Sequence, residues 1–230
     1  NWITFAPVTD DAAAFYGVSD LRIGLLSLMF MAVFIVVSIP ASYIIDTYGL
    51  RVGVGIGAVL TGGFALTRGL FGGGYGWVFA SQVGLAVGQP FVMNAITKVG
   101  ARWFPLAERA TAAAVPSLAQ FVGIIAAMAA TPALVDGLGM KGMLVAYGVL
   151  SAAAGAASLA LVRERPPTPP GLAETEERTP VFAGLRHILR RRDMLILLAL
   201  FFVGLGMFNA ISTWIEQLVA PRGFDSEEAG

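Results

Sequence analysis

A short charged turn separates two long apolar segments near the start of this chain. The turn is Asp46-Thr47-Tyr48-Gly49-Leu50-Arg51, and it lies between apolar stretches at 23–45 and 52–71. Each stretch has the length of about 20 residues that an α-helix needs to cross a bilayer. Two helices that reverse over so few residues require Gly49, because a side chain would oppose the backbone conformation of the turn. The pattern predicts a helical hairpin in a membrane, with Asp46 and Arg51 pairing with each other or with helix ends at the aqueous surface.

The composition agrees with a membrane location. The chain has 230 residues, of which 57% are hydrophobic and 13% are charged, whereas soluble domains carry roughly 25% charged residues. The formal net charge is zero, which argues against a nucleic-acid partner. The chain contains no cysteine and a single histidine, His187, which excludes disulfides and thiolate or multi-histidine metal sites within it. We therefore expect no metal and no cofactor, and a small-molecule substrate and the lipid bilayer as partners.

Six apolar stretches are long enough to cross a bilayer. They lie at 23–45, 52–71, 77–99, 110–135, 142–162 and 194–218. Residues 1–14 are apolar but too short to span, and they indicate the outer part of a truncated first helix. The expected fold is all-α: a six-helix N-terminal bundle over 1–162, a cytoplasmic linker over 163–192, and a seventh helix within 193–230 that begins a C-terminal bundle. The Gly-x-x-x-Gly spacings at 53–57 and 84–88 predict close helix packing.

Most of the basic residues lie on one side of the predicted membrane. That group is Arg51, Lys98, Arg102, Arg109, Arg163, Arg165, Arg178, Arg186, Arg190, Arg191 and Arg192, and the opposite group is Arg22, Arg68, Lys141 and Arg222. By the positive-inside rule, the loops at 46–51, 100–109 and 163–192 are cytoplasmic. Arg68, at the end of its span, is expected to extend outward to water. We expect a monomeric, multi-pass protein of the cell membrane.

Uncharged polar residues at membrane depth are the first candidates for a solute site, because such groups face a cavity or a partner helix. Gln89 precedes Pro90, which weakens the local helix and exposes backbone groups, and Gln120 lies in the fifth span. For each we keep two roles open, substrate contact or a hydrogen bond between helices. Gln82 and Asn94 are interpreted as structural.

Two further groups of charged residues have candidate roles at the membrane surfaces. Asp10, near the outer end of the first helix, either attracts a cation at the mouth of a cavity or is an ordinary carboxylate at the interface. On the cytoplasmic side, Arg102 and Arg109 flank an aromatic turn. Together with Asp46, Gly49 and Arg51 they are candidates for a cytoplasmic gate.

The turn at 46–51 resembles the loop between the second and third helices of the major facilitator superfamily. Within that superfamily, several segments are similar to the feline leukaemia virus subgroup C receptor-related family, whose members are facilitators for choline and related amines, some linked to haem. The segments are Trp2-Ile3, Phe15-Tyr16-Gly17-Val18, Gln89-Pro90-Phe91, Trp103-Phe104, Gln120 with Gly123 and, more loosely, Ser212-Thr213 with Gln217. The resemblance implies that Trp2 and Gln89 line the substrate site.

This implication agrees with the chemistry of a quaternary ammonium ion, which aromatic faces hold by cation–π attraction. The chain departs from the family in its seventh helix, where the choline carriers have a tyrosine and this sequence has Asn209 after Phe208. Asn209 favours a more polar substrate, and Phe208 is a candidate replacement for the missing ring, although one residue along a helix turns it by about 100°.

The sequence therefore predicts a secondary transporter for a small polar or cationic, choline-like solute, working by alternating access and driven passively or by the membrane potential. Two alternatives stay open, a proton-coupled exporter of an organic acid or drug and a non-transporting receptor or scaffold. An enzyme is not expected, because the sequence contains neither a Gly-x-Ser-x-Gly motif nor a zinc-ligand spacing.

Overall fold

The computed structural model describes residues 2–167 and 189–219, which form helices joined by turns and short connections. Most of the predicted linker, 168–188, and the end of the chain, 220–230, lie outside the described residues. After a 3₁₀ turn at Ala6–Val8, the helices are α1 Thr9–Tyr16, α2 Asp20–Tyr48, α3 Leu50–Phe71, α4 Tyr75–Trp103, α5 Arg109–Leu161, α6 Arg192–Thr213 and α7 Ile215–Val219.

The helix α5 contains two of the predicted spans. It has 53 residues and is broken at Gly139, whose φ of 72° lies in the left-handed region that glycine adopts without steric cost. We call 109–138 the first arm and 140–161 the second arm of α5. These arms correspond to the predicted spans at 110–135 and 142–162, so the expected order of spans is confirmed.

Length and composition make α2, α3, α5 and α6 long and apolar enough to cross a membrane. The helix α4 has 29 residues, which is roughly 40 Å and also enough to cross. Its hydropathy is lowered by Gln82, Gln89 and Asn94, which pack within the bundle or are half-buried. Asn94 Nδ2 lies 2.9 Å from the Ser38 carbonyl oxygen and 2.9 Å from Ser42 Oγ, so Asn94 ties α4 to α2, in line with its structural interpretation.

Glycines set the spacing between α3 and its two neighbours. On one side, a Cβ at Gly88 of α4 would lie 3.1 Å from the backbone nitrogen of Thr61. On the other, a Cβ at Gly148 in the second arm of α5 would lie 2.7 Å from the carbonyl oxygen of Ala65, and one at Gly69 would lie 2.7 Å from Val145 Cα. Because the backbones themselves are in contact, α3 is held between α4 and the second arm without intervening side chains.

Residues 2–16, which we call the first segment, are less helical than the sequence indicates. Regular α-helix begins at Thr9, after a 3₁₀ turn that contains Pro7, because proline lacks the N–H that would continue a helix from the preceding turn. The segment covers one end of the bundle, where Tyr16 Oη donates to the Gly72 carbonyl at 3.2 Å and Tyr75 Oη donates to the Arg22 carbonyl at 2.7 Å. We call this the aromatic end.

The expectation that Arg68 extends outward to water is wrong. Its side chain is fully buried, with Nη1 donating to Gln82 Oε1 at 2.6 Å and the guanidinium carbon 5.8 Å from the centre of the Phe5 ring. The first segment folds over this part of α3, so the Arg68 side chain contacts Phe5 and Gln82. On an isolated helix the same side chain would reach water.

Candidate functional site

The turn between α2 and α3 is closed by a carboxylate from a distant part of the chain. Gly49 has φ 100°, and α3 begins directly after it. Glu164 accepts hydrogen bonds from the backbone N–H groups of Leu50, at 3.1 Å, and Arg51, at 2.9 Å. The first N–H groups of a helix lack partners within it and carry partial positive charge, so a carboxylate there both satisfies and neutralises them.

Glu164 also connects α3 to α4. Arg102, in the last turn of α4, donates from Nη1 to Glu164 Oε1, and only 18% of its side chain is exposed. The carboxylate therefore joins three parts of the bundle: the start of α3, the end of α4 and the chain that follows α5. Sequence reasoning missed Glu164, although an acid between two arginines directly after a span was a usable signal.

A second ion pair lies beside the first. Asp46 contacts Lys98 Nζ at 2.8 Å, and the same ammonium donates to the Ile45 carbonyl at 2.8 Å. The partner of Asp46 is therefore Lys98 of α4, whereas Arg51 contributes its backbone N–H to Glu164. Arg109 Nε donates to the Phe104 carbonyl at 3.4 Å across the turn between α4 and α5. We call the group Asp46, Gly49, Lys98, Arg102 and Glu164 the charged end.

We expect Glu164 to keep its charge, and with it these contacts, at mildly acidic pH. Partial burial by itself raises the pKa of the Glu164 carboxyl, but the N–H groups of Arg51 and Leu50 and the Arg102 guanidinium together hold it below its usual value of 4.5. A depressed pKa contributes stability above the unfolded-state pKa and loses it as the pH falls through the folded-state value. We therefore expect this contribution to be constant from pH 7 to about 5 and to fall only below about pH 4.5.

Apparent melting temperatures of the wild type and Glu164→Gln, measured from pH 7 to pH 3, check this expectation. The difference between the two proteins should shrink below about pH 4.5. A difference that already shrinks near pH 6 would contradict the lowered pKa of Glu164.

Trp2 lies in an apolar cluster at the middle of the bundle. Its side chain is 7% exposed, and residues from the first segment and from α2 to α5 surround it. The buried members are Trp2, Ile3, Ala6, Phe30, Ala65, Leu85, Ala86 and Ile124. Half-buried Phe208 of α6 packs against this cluster and meets Phe121 edge-on at a ring-centre distance of 5.6 Å. The structure thus brings together the two predicted aromatic residues, and we call this group the tryptophan cluster.

Gln89 and Gln120 each lie one helical turn from a member of the tryptophan cluster. Gln89 follows Leu85 of α4 by four residues, and Gln120 precedes Ile124 of α5 by four. Residues four apart share a helix face, with a rise of about 6 Å. Since α4 runs toward the charged end and α5 runs away from it, both amides are displaced from the cluster toward the charged end. Both are half-buried.

Asn209 faces a different space from its neighbour Phe208. It lines a cavity of about 800 Å³ between α2 and α6, whose polar lining residues are Asn209, Ser27 and Thr213. Ser27 also donates from Oγ to the Trp2 carbonyl at 3.2 Å. Ser27, which sequence reasoning missed, therefore connects the cavity to the backbone that carries Trp2.

Asp10 lies apart from both groups. It is in the first turn of α1, with its side chain exposed near the aromatic end. Within 2–167 and 189–219, no three acidic or histidine side chains come close enough to hold a metal ion.

The helices are long enough to cross a membrane, the turn between α2 and α3 is charged and hydrogen-bonded, and half-buried amides lie near the centre of the bundle. These features define an integral, multi-pass membrane protein of the transporter class. The chain belongs to the Major Facilitator Superfamily, whose family model matches residues 1–230.

Named relatives agree with this membership. The chain is 33% identical over 243 residues to solute carrier family 49 member A3 of Xenopus tropicalis, covering 100% of this chain and 50% of that protein. It is 26% identical over 241 residues to the choline/ethanolamine transporter FLVCR1 of Felis catus, covering 95% of this chain and 42% of the relative. It spans about half the length of the curated relatives it matches. The resemblance to the receptor-related family is confirmed.

Proposed function

We propose that the protein is a secondary transporter that moves a small cationic or polar organic solute, choline-like in character, by alternating access between two bundles. The observation that carries the proposal is the tryptophan cluster. There Trp2 of the first segment and Phe208 of α6 belong to one apolar group, and two half-buried amides lie one turn away. A site with aromatic walls and a few polar groups suits an ammonium head with a hydroxyl tail.

In this proposal each residue has a defined role. Trp2 and Phe208 hold the cationic head, Gln89 and Gln120 accept or donate hydrogen bonds to the polar tail, and Asn209 lines the side of the path next to α6. Trp2 is 7% exposed, so α6 has to move away from the cluster before a solute reaches the indole. Asp10 attracts the cation at the outer mouth.

The charged end then serves as the cytoplasmic gate, with Asp46, Gly49, Arg51, Arg102 and Arg109 as predicted and with Lys98 and Glu164 added. The positive-inside rule supports this side as cytoplasmic. None of the five proposed substrate residues ionises, which favours facilitative or potential-driven movement over proton coupling. For a cation, the membrane potential supplies about 2.3 kcal/mol per 100 mV.

The test is uptake of labelled choline by the full-length protein in proteoliposomes, under an inside-negative potential and, separately, under a pH gradient. We expect saturable uptake driven by the potential. Trp2→Ala should raise KM or reduce uptake by about tenfold or more, because a desolvated cation–π contact is lost, and Trp2→Phe should retain part of it.

Trp77→Ala is the matched control. Trp77 is a tryptophan of α4 that is 49% exposed, and its substitution should leave uptake within about twofold of the wild type, as for most surface positions. Uptake that responds only to the pH gradient would favour the proton-coupled alternative. Absence of saturable uptake of choline and of a broad set of metabolites would favour the receptor or scaffold.

A further inference from the structure

Arg68 is a fully buried cation next to the segment that carries Trp2. Its guanidinium lies over the ring of Phe5, 5.8 Å from the ring centre, and is tied to Gln82 of α4 by a 2.6 Å hydrogen bond. Phe5 and Gln82 are themselves almost completely buried. A cation–π contact is strongest in such a desolvated setting. A charged side chain buried inside a bundle of membrane-length helices is costly and usually has a functional reason.

The position of Trp2 depends on side-chain contacts, because Trp2 precedes the first regular helix. The α-helix begins only at Thr9. The backbone hydrogen bonds of the preceding segment include those from Ala6 N to Ile3 O, at 3.0 Å, and from Val8 N to Phe5 O, at 3.3 Å. Phe5 is three residues from Trp2, so a contact that fixes Phe5 restricts where the indole of Trp2 is placed.

The part of α3 that carries Arg68 is closely packed on both sides. Its neighbour Gly69 packs against the backbone of the second arm of α5, where a Cβ would lie 2.7 Å from Val145 Cα. One turn earlier, Ala65 is a fully buried member of the tryptophan cluster. A planar guanidinium on this part of α3 presents its donors and its face in fixed directions, which a flexible ammonium does not.

We propose that Arg68 is a positioning residue for the solute site: held by Gln82, its guanidinium fixes Phe5 and thereby sets the position of Trp2. This inference rests on the proposed function for its consequence in transport, since it assumes that Trp2 contacts the solute. It assigns a role to the polar pair of α3 and α4 that neither the charged end nor the solute contacts explain.

Transport kinetics provide the first test. We expect Phe5→Leu, Arg68→Lys and Gln82→Leu each to raise the KM for choline by about tenfold, with the maximal rate per folded protein within about twofold of the wild type. Gln82→Glu keeps an acceptor for the guanidinium, so its KM should stay near the wild-type value. Arg22→Lys, at an exposed arginine of the same end, is the control and should change neither constant. A merely structural role would lower the amount of folded protein and leave KM unchanged, and that result would overturn the proposal.

Thiol labelling provides a second test that does not depend on transport. The 230-residue chain has no cysteine. A single Ile3→Cys, placed in a cysteine-free version of the full-length protein, therefore reports directly on the segment. Ile3 is 2% exposed, and its cysteine should react slowly with a maleimide. Adding Arg68→Lys or Phe5→Leu should speed the reaction by about tenfold, because the segment opens more often, whereas Arg22→Lys should not.

The two tests separate the two ideas. Unchanged labelling in the Arg68 and Phe5 variants would overturn the positioning role, whatever happens to KM. If Trp2→Ala leaves choline uptake unchanged, the proposed function fails, and the labelling rates alone then decide whether Arg68 holds the segment.

Discussion

Replacing Glu164 with alanine is expected to lower the stability of the bundle by about 2 kcal/mol, through the loss of a helix cap and a charge-assisted hydrogen bond. The substitution leaves the N–H groups of Leu50 and Arg51 without their acceptor. It also removes the contact between Glu164 and Arg102, whose side chain is mostly buried. Because three parts of the bundle meet at this one carboxylate, its removal weakens their contacts together.

The measurement is the apparent melting temperature in detergent at a fixed scan rate, since membrane proteins often unfold irreversibly. Asp46→Asn is the matched control. The Asp46 side chain is 59% exposed, and Lys98, which is only 9% exposed, keeps its hydrogen bond to the Ile45 carbonyl in this variant. We therefore expect Asp46→Asn to cost at most about 1 kcal/mol. A double-mutant cycle between Glu164→Ala and Arg102→Gln should show a coupling of about 1 kcal/mol or more. Equal losses for Asp46→Asn and Glu164→Ala would contradict the central role given to Glu164.

Gly69→Val is expected to prevent α3 from packing against the second arm of α5. The first atom added at this position would lie 2.7 Å from Val145 Cα, 2.8 Å from Val145 N and 2.9 Å from the Leu144 carbonyl oxygen. All three are backbone atoms, which cannot move aside as a side chain does. We expect a loss of about 3 kcal/mol or more, or failure to obtain folded protein.

Gly63→Val is the control for this substitution, because it places the same side chain on the same helix where no atom lies within 4 Å of the added Cβ. Its effect should stay within about 0.5 kcal/mol. Size-exclusion profiles and apparent melting temperatures of the two variants, purified in parallel, check the difference. Similar losses for Gly63→Val and Gly69→Val would show that helix propensity, rather than contact between backbones, controls this region.

The order of helices could be predicted because the length and apolarity of a span are properties of a continuous stretch of chain.

The burial of the Arg68 side chain could not be predicted. At the end of a lone helix an arginine reaches water, and only the folding of the first segment over α3 puts Phe5 and Gln82 around it. The break of that segment before Thr9 follows from Pro7, a local signal whose extent the sequence does not define.

The charged end could be predicted only in part, for a similar reason. Gly49 is recognisable, because its role depends on the turn it occupies. The partners of Asp46 and of the start of α3 are Lys98 and Glu164, which lie 52 and more than 110 residues away in sequence. Such long-range pairs depend on which helices become neighbours. In the centre of the bundle, Trp2 was identified as a candidate only through family resemblance. The packing of Phe208 against the cluster that contains Trp2 is a tertiary feature that no local pattern encodes.

The contact between α3 and the second arm of α5 has a practical consequence for testing the proposed alternating access. At Gly69 and Gly148 the two helices touch backbone to backbone, so we expect their distance and crossing angle to stay fixed. Spin labels placed on their exposed faces should therefore report the same separation in every state of the proposed cycle. The distance between these two helices then serves as a fixed reference, against which a displacement of Trp2 or of α6 can be measured.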